Sequence, residues 1–77
     1  MITKRVYLNS VEDAKKFVDI VGGFDGYFDL VSGKYYVDAK SILGVFTMDL
    51  SKGVDFRIID THQNVDDILK AIEPFAA

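Results

Sequence analysis

The chain has no cysteine and no tryptophan, and it has one proline and one histidine among 77 residues. Without thiols it cannot form a disulfide bond, a thiolate metal site or a cysteine nucleophile, so its stability must come from packing. Basic residues are also few, nine against twelve acidic ones, which gives a net charge of −3. The sequence therefore lacks a basic stripe that could neutralise phosphates, and this argues against nucleic acid as a partner.

Long hydrophobic runs are missing as well. The longest uncharged apolar run is far shorter than the roughly 18 residues that a membrane span needs, and the N-terminus lacks the apolar region of a signal peptide. We therefore expect a cytoplasmic protein that begins at its native start and uses no membrane. The length fits one domain, residues 1–77. A chain of this size buries about 60% of its unfolded surface, which leaves little room for a deep cleft.

Strand and helix patterns alternate regularly along the chain. Period-2 alternation predicts strands at 3–8 and 54–59, and two β-rich runs at 27–31 and 34–38 predict a hairpin around the dipeptide 32–33. Capping residues and helical spacing predict helices at 10–23, 41–50 and 64–75, with N-caps at Ser10, Ser41 and Asn64. The order β-α-β-β-α-β-α predicts an α+β open-faced sandwich, with a four-stranded, mostly antiparallel sheet and its helices on one face.

The residues that usually carry catalysis have structural explanations here. His62 lies between the last strand and the last helix, but its surroundings supply neither an oriented nucleophile nor three or four convergent metal ligands. The acidic pairs Glu12/Asp13 and Asp66/Asp67 both begin helices, where the helix dipole favours them without catalysis. We therefore expect no catalytic residue, no metal and no cofactor.

Ser41 has two interpretations. By local physics it is the N-cap of the second helix. It is also a candidate regulatory phosphorylation site, because the helix dipole and Lys40 would both favour a phosphoserine there. Ile42, Leu43 and Phe46 crowd a helix that is too short to bury all of them, so some apolar surface is left for a partner.

The segment VDAKSILGVFTMDL, residues 37–50, together with the order of elements, resembles the histidine-containing phosphocarrier (HPr) family of the bacterial sugar phosphotransferase system. It is similar to the family pattern A-K-S-[IL]-x-G-[VL]-x-x-L. The resemblance implies the HPr-like fold. It also implies a regulatory role, because in some members a dedicated kinase phosphorylates this serine and the product binds a transcription regulator of carbon catabolite control. The matching positions are Lys40, Ser41, Ile42, Leu43 and Phe46.

The first family motif differs in this sequence. Members accept a phosphoryl group from phosphoenolpyruvate, through enzyme I, on the histidine of a pattern like G-[LI]-H-A-R-P-A. Ser10 stands at the position of that phosphohistidine, Glu12 at the arginine and Asp13 at the proline. Two acids would repel an incoming phosphoryl anion. The expectation is a non-catalytic, regulatory docking protein; the alternative is a true phosphocarrier with an atypical acceptor, Ser10 or His62.

The predicted pleat turns Tyr7, Tyr27 and Tyr36 to the face of the sheet away from the helices, together with Arg5 and Arg57. Ordinary cross-strand pairing explains tyrosines at such positions. They are also candidates for a second interface, because tyrosine and arginine are enriched in interface hot spots. A further alternative is therefore a structural module that forms a homodimer through this face.

Overall fold

The strands and helices follow one another in the predicted order. A computed structural model describes residues 1–76. None of the helices in these residues has the length and hydropathy that a membrane span requires. The elements are β1 (Ile2–Val6), α1 (Val11–Gly22), β2 (Tyr27–Ser32), β3 (Tyr35–Asp38), α2 (Ile42–Val45), β4 (Val54–Asp60) and α3 (Val65–Ile72), followed by a 3₁₀ turn (Glu73–Phe75).

The four strands form one sheet in the order β1-β4-β2-β3, and every neighbouring pair is antiparallel. The buried side chains of β4 alternate with exposed or half-buried ones, as expected for a sheet that is covered on one face. Phe17 of α1 packs edge-on against Phe56 of β4 and against Phe75, with ring centroids 5.3 and 5.5 Å apart. The helices therefore cover one face of an antiparallel sheet, which confirms the predicted α+β architecture.

The predicted N-caps are confirmed at all three helices. The Ser10 side chain accepts a hydrogen bond from the backbone of Asp13 at 3.0 Å, and the Asn64 side chain accepts one from Asp66 at 2.8 Å. Ser41 does the same at α2. These caps could be predicted because they depend on residues only two or three positions apart.

The predicted extent of the second helix, 41–50, is wrong. α2 ends at Val45. After it, the backbone hydrogen bonds span three residues: the N–H of Thr47 donates to the Gly44 carbonyl, and the N–H of Met48 donates to the Val45 carbonyl. The Thr47 side chain also donates to the Gly44 carbonyl at 2.6 Å. A threonine hydroxyl bonded to a backbone carbonyl competes with the helical pattern, which gives a physical reason for the early end.

Three smaller differences also have local causes. The two-residue hairpin loop is Gly33 and Lys34, one position later than predicted, and Gly33 supplies its positive φ of 61°. The third helix ends at Ile72 because Pro74 favours a 3₁₀ turn over a longer helix. The helical spacing of Val11, Ala14 and Phe17 predicts that Val11 belongs to the apolar stripe of the first helix, but it is 60% exposed because it is the first residue of the helix.

Candidate functional site

Ser41 is the N-cap of α2 and is fixed there by a side-chain hydrogen bond. Its Oγ accepts a hydrogen bond from the backbone N–H of Gly44 at 3.2 Å. A Cβ added at Gly44 would lie 3.2 Å from this Oγ and 3.4 Å from the Cβ of Val37. Glycine at position 44 therefore gives the serine hydroxyl room to approach the backbone.

The segment after α2 is fixed to the sheet by a chain of hydrogen bonds. The hydroxyl of Tyr35 on β3 lies 2.5 Å from the Thr47 hydroxyl, which in turn donates to the Gly44 carbonyl. Val45 and Met48 are buried beneath this segment. α2 is thus anchored at both ends although it is only four residues long.

The apolar side chains that the sequence marked as a docking surface are exposed to different degrees. Leu43 is 77% exposed and Phe46 is 40% exposed, whereas Ile42 is half-buried. Ile42 borders a shallow depression of about 500 Å³ whose other wall is α1, with Lys15 and Lys16. The depression therefore joins Ile42 to a wall of mixed charge, in which Glu12 and Asp19 of α1 accompany the two lysines.

Lys40 is engaged by contacts that the sequence did not predict. Its ammonium donates to the carbonyl of Phe24 at 2.6 Å and lies 5.2 Å from the centroid of the Phe28 ring. The backbone N–H of Lys40 donates to the Asp38 side chain at 2.8 Å. In this arrangement the ammonium is directed to the connection between α1 and β2.

Ser10, at the start of α1, is an exposed cap residue. Its hydroxyl oxygen is the acceptor for the Asp13 backbone, and Glu12 and Asp13 occupy the first turn of the helix. Carboxylates at this end are stabilised by the helix dipole. They would oppose the approach of another anion to the same helix end.

His62 lies on the exposed connection between β4 and α3. It lines a small cavity of about 320 Å³ together with Asp25 and Asp60. Within residues 1–76, no group of three or more His, Cys, Asp or Glu side chains could hold a metal ion. The histidine thus belongs to a polar loop, and Ser10 and Ser41 lie on other elements.

The outer face of the sheet carries the three tyrosines. Tyr27 and Tyr36 are 73% and 68% exposed and line the same cavity, whereas Tyr7 is 40% exposed and packs over Gly53. Between them lies Asp29, which is only 6% exposed and pairs with Arg57 on the neighbouring strand. Sequence patterns did not find this ion pair, although an acid flanked by Phe28 and Leu30 in a strand was a signal of a polar group on the open face.

Comparison with known proteins agrees with this geometry. A family model described as "PTS HPr component phosphorylation site" matches residues 11–77, beginning directly after Ser10. The open-faced sandwich fold and this family match together assign the chain to the class of phosphotransferase-system phosphocarrier proteins. The chain belongs to the HPr family.

A solved structure shares the fold. The crystal structure of HPr-C-His from Thermoanaerobacter tengcongensis superimposes with a TM-score of 0.78 and 18% identity, over 96% of this chain and 89% of that chain. At this identity the likeness shows the fold alone. No curated protein sequence matches the chain.

Proposed function

We propose that this HPr-family chain is a non-catalytic regulatory protein that docks onto a protein partner, with phosphorylation of one serine as a switch. The docking surface, called here the Ser41 surface, consists of Lys40, Ser41, Ile42, Leu43 and Phe46. The observation that carries the proposal is the exposure of Leu43 and Phe46 beside Ser41, the N-cap residue of α2. Exposed apolar side chains grouped on one surface are typical of protein interfaces.

The start of α1 supports the non-catalytic part of the proposal. A phosphocarrier needs an acceptor whose surroundings stabilise the transferred anion. Ser10 instead is followed by Glu12 and Asp13 in the first helical turn, and its oxygen already accepts the Asp13 N–H. A serine hydroxyl without a basic neighbour is a poor acceptor for phosphoryl transfer.

The geometry of Ser41 is compatible with the switch. A phosphoryl group on its Oγ would keep an acceptor near the Gly44 N–H and add two negative charges beside Leu43 and Phe46. A partner with an apolar pocket and a basic rim would then gain charge-assisted hydrogen bonds. We propose a serine kinase or a transcription regulator of carbon catabolite control as the class of partner.

Phosphotransfer tests the non-catalytic part. The purified chain is incubated with enzyme I and labelled phosphoenolpyruvate, with an ordinary HPr as the positive control. We expect no phosphorylated product. Any phosphorylated product would contradict the proposal. An acid-labile product that is lost in His62→Gln, or an acid-stable one that is lost in Ser10→Ala, would identify the acceptor of the alternative, true phosphocarrier function.

Serine phosphorylation tests the switch. An HPr serine kinase with ATP should label the wild type and Ser51→Ala but not Ser41→Ala. Equal labelling of wild type and Ser41→Ala would exclude Ser41. The docking surface is tested by Leu43→Glu and Phe46→Glu, which should abolish binding of the kinase while Tyr7→Glu, on the opposite face, leaves it intact.

We also propose that residues 1–77 form a single HPr-like domain and that it works in the cytoplasm. The compact arrangement of all described elements around one core supports the first statement. A homodimer formed through the tyrosine-bearing face is the alternative that the sequence left open, and the mass in solution across a concentration series tests it.

A further inference from the structure

The outer face of the sheet contains a groove that shares only Lys40 with the Ser41 surface. It has a volume of about 440 Å³ and is called here the tyrosine groove. Its side chains come from β2, β3, the end of β4 and the residue before Ser41. Its lining includes Tyr27, Asp29, Tyr36, Asp38, Lys40 and Ile59.

Two tyrosines give the groove its aromatic character. Tyr27 and Tyr36 are each more than two-thirds exposed, and Ile59 beside them is 46% exposed. Large apolar side chains at such exposure leave their contact area unused in the free protein. Tyrosine is among the residues that contribute most to binding when an interface covers them.

The charges around these tyrosines are mainly negative. Asp60 is the cross-strand neighbour of Tyr27, and Asp38 lies two residues from Tyr36 on the same strand. The adjoining cavity adds Asp25. All three acids, Asp25, Asp38 and Asp60, are exposed to solvent.

The two cations near the groove are directed elsewhere. Arg57 binds Asp29 through two hydrogen bonds, and the Lys40 ammonium is bound to the Phe24 carbonyl. The charges of Arg57 and Asp29 offset each other, and the charge of Lys40 offsets one of the three acids Asp25, Asp38 and Asp60. An excess of two negative charges is therefore left in the groove and the adjoining cavity, beside two aromatic side chains. An arginine or lysine side chain fits this combination, because its charge is attracted both by carboxylates and by the face of a tyrosine ring.

We propose that the tyrosine groove binds an arginine- or lysine-bearing segment of a partner protein. A second copy of this chain is a poorer occupant. In a two-fold dimer the same patch of both copies meets, so the excess of acidic side chains around one groove would face the same excess around the other, and such like-charge contacts are unfavourable. The proposal does not depend on the Ser41 surface, so the two can fail separately.

Binding is measured by amide chemical shifts of the ¹⁵N-labelled chain at low salt. The probe is a capped peptide of alternating glycine and arginine, and the matched control peptide has glutamine in place of arginine. We expect the arginine peptide to shift the amides of Gly26, Tyr27 and Asp38, and added salt to weaken binding because it screens exposed charges. Equal shifts with the glutamine peptide, or shifts confined to α1 and α2, would overturn the proposal.

Variants assign the binding to the groove. Tyr27→Leu and Tyr36→Leu should each lower the affinity about fivefold, the factor that corresponds to one exposed cation–π contact. Asp38→Asn should lower it as well, and it preserves an acceptor for the Lys40 N–H. The matched control is Tyr7→Leu, a tyrosine on the same sheet face that does not line the groove. Wild-type affinity in both Tyr27→Leu and Tyr36→Leu would contradict the proposal, and so would an equal loss of affinity in Tyr7→Leu.

A second measurement separates the partner from self-association. Without peptide, the groove amides should keep the same shifts across a concentration series, and the mass in solution should remain that of one chain. Concentration-dependent shifts at Tyr27 and Tyr36 with a doubling of the mass would assign the groove to a homodimer and overturn the peptide proposal.

Discussion

Asp29 on β2 and Arg57 on the adjacent strand β4 form a bidentate ion pair on the open face of the sheet. The Nε of Arg57 donates to one carboxylate oxygen of Asp29 at 2.7 Å, and Nη2 donates to the other. This side-chain hydrogen bond raises the pKa of Arg57 above its usual value, with an opposing effect of burial. The pair accounts for a buried acid in the middle of a strand, since buried carboxylates require a partner.

Asp29→Ala should therefore lower the free energy of unfolding by about 2 kcal/mol, the scale of hydrogen bonds to a charged group that is shielded from water. The matched control is Asp55→Ala, which removes a second Arg–Asp pair on the same face. Its side chains, Arg5 and Asp55, are 52% and 37% exposed, and the expected cost is below about 1 kcal/mol. Urea unfolding measures both variants, and equal losses would contradict a special role for Asp29.

The features that could be predicted from the sequence are the ones encoded locally. The strand alternation around Phe56 and the caps at Ser10 and Asn64 depend on neighbouring residues, and the structure confirms them. The Asp29–Arg57 pair joins residues 28 positions apart, so it depends on the register between β2 and β4. No local pattern contains that register.

The region around Ser41 contains one feature that could be predicted from the sequence and one that could not. Its N-cap followed from the sequence, but the extent of α2 did not, because the Thr47 hydroxyl bonds to Gly44 and to Tyr35 on another strand. Positions 42, 43, 45, 46 and 48 are all apolar, so the local pattern does not determine which of them are buried. Packing against the core selects Val45 and Met48 for burial and leaves Leu43 exposed.

Ser41→Ala should destabilise the fold by about 1 kcal/mol, because it removes the acceptor for the Gly44 N–H. Ser41→Asp retains a capping oxygen, so its stability should lie closer to that of the wild type. Urea midpoints compare the three proteins. A Ser41→Ala variant as stable as the wild type would show that the cap contributes nothing and that the serine is free for another role.

Gly26→Ala should be strongly destabilising, by at least about 2 kcal/mol. Gly26 has a φ of +135°, and an added Cβ would lie 2.2 Å from the carbonyl oxygen of Asp60. The control is Gly22→Ala, where the added Cβ meets nothing within 4 Å. Because alanine favours the helix, this control should be neutral or stabilising by up to about 1 kcal/mol. Thermal unfolding of both variants checks the contrast, which fails if Gly26→Ala melts with the wild type.

The turn that follows α2 contains a carboxylate with a shifted titration. Ser51 donates to Asp49 Oδ1 from its hydroxyl at 2.5 Å and from its backbone at 3.0 Å. The side-chain hydrogen bond first, and the backbone one next, lower the pKa of Asp49 below its usual value. Since the folded pKa lies below the unfolded one, the stabilisation is present above the unfolded pKa and is lost as the pH falls through the folded pKa.

Ser51→Ala should raise the pKa of Asp49 towards its usual value of 3.8 without reaching it, because the backbone hydrogen bond remains. The carboxyl ¹³C shift of Asp49, followed against pH, measures this directly. Ser32→Ala, a serine on β2, is the control and should leave the titration of Asp49 unchanged. If the Asp49 titration curve is the same in wild type and in Ser51→Ala, the hydroxyl does not stabilise the carboxylate, and the pH dependence assigned to this turn is wrong.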